Sequence, residues 1–390
     1  MSRVVSADHV MFDECILAFR PNGAGDDLKR SKPRCSYLLT DFELTTEWHL
    51  PNFKVHPSKR IEFPMRAMAF ISKIDNPEYW NGDGSHLFGI ALSSIVSFVT
   101  GRACRSPRDG FGFDREQQQC ELEQMALLHP IKTTGPGRTE TGVSLDLQDQ
   151  YRIALSEFVA TLQAVEQKKY VAVMQAVRLV HLSLLTKRED FGLSYMLIVA
   201  AIESIAQYAI SRDKVKIKHK NENDWARRAK NDSDFDEIFK AYKDARGKNE
   251  YLRERYVRFI LTFVPISEWE KCVAIPSTQQ DIIDFWIEVQ NKGGPTFSGN
   301  LKSGNEKYPS DLDDAVIREA LGSSYNYRSE FVHMGKQPPN KNSVAMERFF
   351  QSHYVFKEGY ASEELLPTYD LLFKLAQLSI CNWLKDQIKK

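Results

Sequence analysis

Arg328 and His333 stand with four residues between them in the stretch Tyr-Arg-Ser-Glu-Phe-Val-His-Met-Gly, Tyr327 to Gly335. A guanidinium neutralises charge on an attacked phosphate. An imidazole, with a reference pKa of about 6.5, moves a proton in either direction near neutral pH. An arginine and a histidine held together are therefore a minimal kit for metal-free RNA cleavage, and Ser329 adds a hydroxyl that can orient a partner. Spacing alone selects nothing, because Arg followed by His after four to six residues occurs four times: Arg3 and His9, Arg212 and His219, Arg328 and His333, Arg348 and His353. Only the third pair has a long helical approach and a glycine stop. His353 and its neighbour Tyr354 read as packing or surface groups.

The element that must position this pair is a helix. Ser310 or Asp311 suits its N-cap, Gly322 is a point where it can bend, and Gly335 suits the C′ position. His333 then falls in the last turn, where the negative end of the helix dipole favours a cation by up to roughly 2 kcal/mol. Residues five apart on a helix are separated by roughly 140° around its axis, so Arg328 and His333 do not share a face. Either a local distortion brings them together, or a two-fold dimer builds one site from two copies.

A second segment bears on the same chemistry. Leu-Ile-Val-Ala-Ala-Ile-Glu-Ser-Ile, Leu197 to Ile205, is apolar but for Glu203, and a carboxylate on such a face is costly without a cation. Arg328 or another cation is its expected partner. With Arg-Tyr-Val-Arg-Phe, Arg255 to Phe259, and Tyr327 to Gly335, this segment makes residues 150 to 390 similar to the HEPN superfamily, most closely its Apea-like branch. The resemblance implies a metal-independent endoribonuclease of bacterial toxin or anti-phage systems, leaving 2′,3′-cyclic phosphate ends and needing no cofactor. It implies Arg328, His333 and Ser329 as catalytic residues, with Glu203 and Tyr327 in support. RNA and a second copy of the chain are the implied partners, with a phage or host component as a possible trigger. A second reading stays open, in which the helical region is a silent dimerisation or nucleotide-binding module and the N-terminal region does the sensing.

The rest of the chain sets the frame. At 390 residues, 42% hydrophobic and 27% charged, it has the composition of an ordinary globular protein of about two domains. The expected fold class is α+β: a mixed strand-bearing domain over 1–142, then an all-helical bundle over 143–390 with polar insertions near 212–250 and 292–310. In the first part, 36–49 and 61–74 alternate as strands and 85–99 has helical periodicity. In the second, helices are expected on the stripes Leu155/Phe158/Val159/Leu162, Val173/Met174/Val177/Val180/His181/Leu184, Leu193/Leu197/Ala200/Ala201/Ile205, Tyr256/Phe259/Ile260/Phe263, Ile282/Ile283/Trp286/Val289 and finally over 362–387. No apolar run approaches the roughly 20 residues of a membrane span, and 1–8 lacks the order of a secretory signal. Six scattered cysteines without a CxxC spacing read as reduced thiols of a cytoplasmic protein and suggest no metal site. Net charge is zero, yet 212–230 holds eight Lys or Arg against three acidic residues. That run is a solvated surface or a footprint for a phosphate backbone, with Lys214, Lys216, Lys218, Lys220, Arg227 and Arg228 as contacts and His219 and Trp225 available for stacking.

Overall fold

The β-branched and aromatic segments of the first part do pair into a sheet, and the helical periodicity that follows does produce helices, so the protein is α+β. The computed structural model describes residues 7–21, 35–62, 68–80, 84–108, 116–131, 143–215, 219–248, 251–273, 292, 306–335, 347–357 and 360–388. Two compact units divide the chain, one of 1–201 with 384–390, the other of 202–383. The boundary expected near 143 abuts 132–142, outside the described residues.

In the first unit, α1 (Ala7–Ala18) precedes β1 (Cys35–Thr40), β2 (Trp48–Leu50), β3 (Phe53–Val55), β4 (Lys59–Glu62) and β5 (Met68–Asp75). After α2 (Ser85–Thr100) comes β6 (Cys104–Arg105), and the sheet order is β2-β3-β5-β1-β6 with β4 also on β5. β1 and β5 run antiparallel from Cys35 opposite Asp75 to Thr40 opposite Phe70. Every residue of β1 is buried because both faces of the strand are covered. On one face, Cys35, Tyr37 and Leu39 meet Leu122, Met125 and Ala126 of α3 (Gln119–Leu128). On the other, Ser36 lies against Gly89 of α2, where a Cβ would be too close to both Ser36 and Ser106. α2 is buried almost all round, as a helix apolar on every side should be.

Helices α1 and α3 are absent from the sequence expectations: α1 has almost no amphipathic pattern to announce it, and α3 buries only three residues. A capping signal does mark α3, with the Gln118 N–H donating to Glu121 at 2.7 Å. α4 (Leu145–Ala164) opens on Ser144, whose hydroxyl accepts from the Leu147 N–H, and α5 (Gln167–Thr186) follows. Both stripes read for these helices are buried.

The division between the units falls within α6 (Phe191–Ala209). Its buried side is Tyr195, Ile198, Val199, Ala201, Ile202 and Ile205; Ala201 and Ile205 of the expected stripe are buried, while Leu193, Leu197 and Ala200 are only half-buried. Mean hydropathy of 1.3 over an 18-residue window makes α6 apolar enough, by length and composition, to cross a membrane, and 56% of that window is buried inside the protein. The second unit continues with α7 (Arg212–Val215), α8 (Glu222–Ala229), α9 (Ser233–Lys248), α10 (Leu252–Phe263), α11 (Trp269–Cys272) and α12 (Asp314–Met334). The helix expected on Ile282 to Val289 and the insertion near 292–310 lie largely outside the described residues.

The region expected to be all-helical also contains two strands. Residues 362–367 belong to a hairpin of β7 (Phe350–Lys357) and β8 (Tyr360–Pro367), and the last helix, α13 (Tyr369–Ile388), starts only after it. Glu363 to Leu366 has helical propensity, but Pro367 disfavours helix in the residue before it, and pairing with the β-prone Phe350 to Lys357 wins. Thr368 then caps α13 through the Leu371 N–H, at 3.3 Å.

Candidate active site

Helix α12 carries Tyr327, Arg328, Ser329 and His333. It starts at Asp314 rather than at Ser310 or Asp311, which form a single 3-10 turn with Pro309. It remains α-helical from Asp314 to Met334, so no local distortion marks Gly322. A Cβ at Gly322 would meet the Arg253 guanidinium of α10, the movable end of a long side chain. At the far end Gly335 takes φ 66°, the left-handed conformation expected of a C′ glycine, and its N–H donates to the Phe331 carbonyl at 3.0 Å.

Arg328 turns toward α6, where its Nη2 lies 3.3 Å from Glu203 Oε2. The Glu203 side chain is 7% exposed and that of Arg328 26%, so the carboxylate is enclosed and the cation half-open. The contact is one of charge without hydrogen-bond alignment, since neither Glu203 Oε2 nor Arg328 Nε has a hydrogen-bond partner. Tyr325 donates to Glu203 Oε1 at 3.4 Å and the Gln207 amide does so at 3.5 Å, both long. Burial, and then the Glu203 charge, push the Tyr325 hydroxyl up to about 12, so it remains a donor at neutral pH. Gln207 sits one helical turn beyond Glu203, a signal readable from sequence. Tyr325 could be found only once α6 and α12 were known to pack.

Helix α10 fixes the frame around this pair. Ser324 donates to the Leu321 carbonyl at 2.6 Å, which leaves its oxygen to accept from Tyr256 at 2.9 Å and joins α10 to α12. The buried Arg255 donates through Nε to the Ile210 carbonyl at 2.8 Å and through Nη2 to that of Gln207, closing the C-terminal end of α6. Tyr327 is buried near β8; burial, then Glu364 and Glu330, push its hydroxyl up to about 12. Ser329 is half-buried.

His333 is solvent-exposed in the last turn of α12 and has no ion-pair or hydrogen-bond partner among the described residues. Because the helix is regular, Arg328 and His333 are not brought onto one face of a single chain. The two exposed apolar residues flanking the histidine, Val332 at 50% and Met334 at 69%, present surface that a second molecule could cover.

The basic run is less free than its composition implies. Arg227 pairs with Asp224 on α8, and Arg228 lies 3.7 Å from Asp232 with its guanidinium over Phe235. His219 and Trp225 stack on each other, centroids 4.5 Å apart, instead of standing open for a base. Lys214 and Lys220 are exposed, while Lys216 and Lys218 lie outside the described residues. None of the six cysteines is in a disulfide; burial raises the thiol pKa of Cys15 to about 12 and raises that of Cys35 as well, as fits packing groups rather than nucleophiles.

No family model, curated protein or solved structure matches the chain.

Proposed function

We propose that this chain is a metal-independent endoribonuclease of the HEPN type, an effector of bacterial toxin or anti-phage defence, with Arg328 and His333 acting in a cleft between two copies. The observation that carries the reading is the Glu203–Arg328 contact between α6 and α12, with a solvent-exposed His333 in the last turn of the same helix. Glu203 holds Arg328 in place while leaving part of the guanidinium accessible to a phosphate. Since the regular helix keeps arginine and histidine apart within one chain, a two-fold partner supplies the missing convergence, and Val332 and Met334 offer part of the contact.

In such a site the RNA 2′-hydroxyl attacks the adjacent phosphorus. One His333 accepts the hydroxyl proton, the other donates a proton to the departing 5′-oxygen, and Arg328 balances the charge gathering on the non-bridging oxygens. Ser329 orients the phosphate by hydrogen bonding. The products are a 2′,3′-cyclic phosphate and a 5′-hydroxyl, and DNA, lacking the nucleophile, is inert.

The test is incubation of the purified chain with total RNA in EDTA, beside the same reaction with His333→Ala. Cyclic-ended fragments from the wild type alone are expected. Cleavage that needs Mg²⁺, or that survives loss of His333, would overturn the mechanism, and absence of cleavage by the wild type would leave the silent-module reading in its place.

A further inference from the structure

The first unit contains a cavity of about 240 Å³ that plays no part in the chemistry above. Its ionisable lining is Arg105 of β6, Arg108 just beyond it, His129 at the end of α3, Arg178 and His181 of α5, and Glu189. Three arginines and one carboxylate thus line it, the Arg178 guanidinium lying over the Phe12 ring, 4.9 Å from its centroid. Like charges around a partly desolvated space repel one another, and an anion among them converts that repulsion into attraction. Three atoms of its lining residues, all closed off from water, also have no hydrogen-bond partner among the described residues: Arg105 Nε, Ser106 Oγ and His181 Nδ1. His181 and Ser106 are both more than nine-tenths buried, and such groups are normally satisfied.

We propose that this cavity binds a small phosphate-bearing ligand, with Arg105, Arg108 and Arg178 around the phosphate and His129 at the rim. Guanidinium groups suit this chemistry because their fork of donors matches phosphate oxygens in pairs. The volume lies just below the roughly 300 Å³ at which typical ligand pockets begin, which fits a phosphate with a short organic remainder better than a large cofactor. Electrostatics agree with the geometry: burial lowers the pKa of Arg105 and of His129, Glu189 works against this at Arg105, and neighbouring arginines add to it at both. An anion reverses that balance.

The probes are inorganic phosphate and ribose 5-phosphate, titrated calorimetrically into the full chain, with ribose and with sodium chloride at matched ionic strength as controls. Saturable binding of the phosphates alone is expected, with Kd at or below about 10 mM. Arg108→Ala and His129→Ala, at an exposed and a half-buried position, should fold normally and weaken binding at least 10-fold; Arg152→Ala, on α4, should leave it unchanged. Arg105→Ala should abolish it if that variant folds. Absence of saturable binding, equal binding by all variants, or displacement by an RNA oligonucleotide where ribose 5-phosphate fails to compete would each overturn the proposal.

Discussion

The enclosed carboxylate of Glu203 lies against the half-open guanidinium of Arg328, and the two residues are therefore unequal subjects for mutation. Arg328→Ala removes a candidate charge stabiliser and also strands a buried anion, a change that typically costs about 3 kcal/mol or more. Urea denaturation of Arg328→Ala should show that loss, and Glu203→Gln, which removes the charge but preserves the shape, should lose less. His333 has no such structural duty. Its alanine variant should unfold at the wild-type midpoint while RNA cleavage falls at least about 100-fold, the low end of acid–base contributions. Equal stability losses in the two alanine variants would mean that His333 is a structural cap. A different histidine governs acid sensitivity. Burial, then Arg178 and Arg105, hold the His181 pKa well below its ordinary value, with a hydrogen bond to Ser93 working the other way. Below about pH 6.5 the unfolded chain takes up this proton and the folded chain does not. Stability therefore falls as pH falls, by at most about 1.4 kcal/mol per pH unit. His129 contributes with the same sign. Thermal unfolding between pH 7 and pH 5 should show the decline, with a flatter slope in His181→Gln.

At the scale of elements, the ends of the helices matter more to the candidate site than their middles. Gly335 ends α12 two residues after His333, and a Cβ there would meet nothing within 4 Å. Its replacement by alanine thus costs only the backbone strain of φ 66°, about 1–2 kcal/mol, while Gly335→Asn costs less. Circular dichroism melts of the two variants test this, and equal melting temperatures would show that the αL turn contributes little. Thr368 plays the corresponding part for α13, accepting from the Leu371 N–H while donating to the Arg348 carbonyl at 2.7 Å. Thr368→Ala should lose about 1 kcal/mol, as other N-cap replacements do. The Gly335 stop was plain in the sequence because glycine is the residue for which a positive φ is free of strain. The start of α13 was not, because Pro367 and Thr368 signal it only to a reading that does not extend the apolar helical stripe backward through Leu365.

For the whole molecule the decisive quantity is the number of chains in the active particle. A composite site requires a two-fold dimer that buries on the order of 1,000 Å² or more in total. Light scattering should report twice the mass of the chain at working concentrations, and Val332→Asp with Met334→Asp should return it to one chain and abolish cleavage together. A fully active monomer would refute the composite site. RNA binding should also weaken steeply with added salt if Lys214, Lys220 and their neighbours contact phosphates, and Lys214→Ala with Lys220→Ala should reduce that slope.

Local rules were enough for much of this protein. Alternation and periodicity marked β1, β5 and the stripes of α2, α4, α5 and α10, because burial dictates which positions must be apolar, whereas β3 and β6 fall outside the segments expected as strands. The cost of an isolated buried charge likewise made a cation beside Glu203 predictable before either helix was placed. Tertiary structure decided what no periodicity contains. It set the rotation of α6 that buries Ile198 and Ile202 rather than Leu197, because packing on neighbouring helices selects among several apolar faces of a helix that is apolar nearly all round. It brought Tyr325 to the same carboxylate, and it gathered Arg105, Arg108, His129 and Arg178 around one cavity from β6, α5 and the end of α3. Those groups lie far apart along the chain, and their charges come to face one another only when the elements between them fold back.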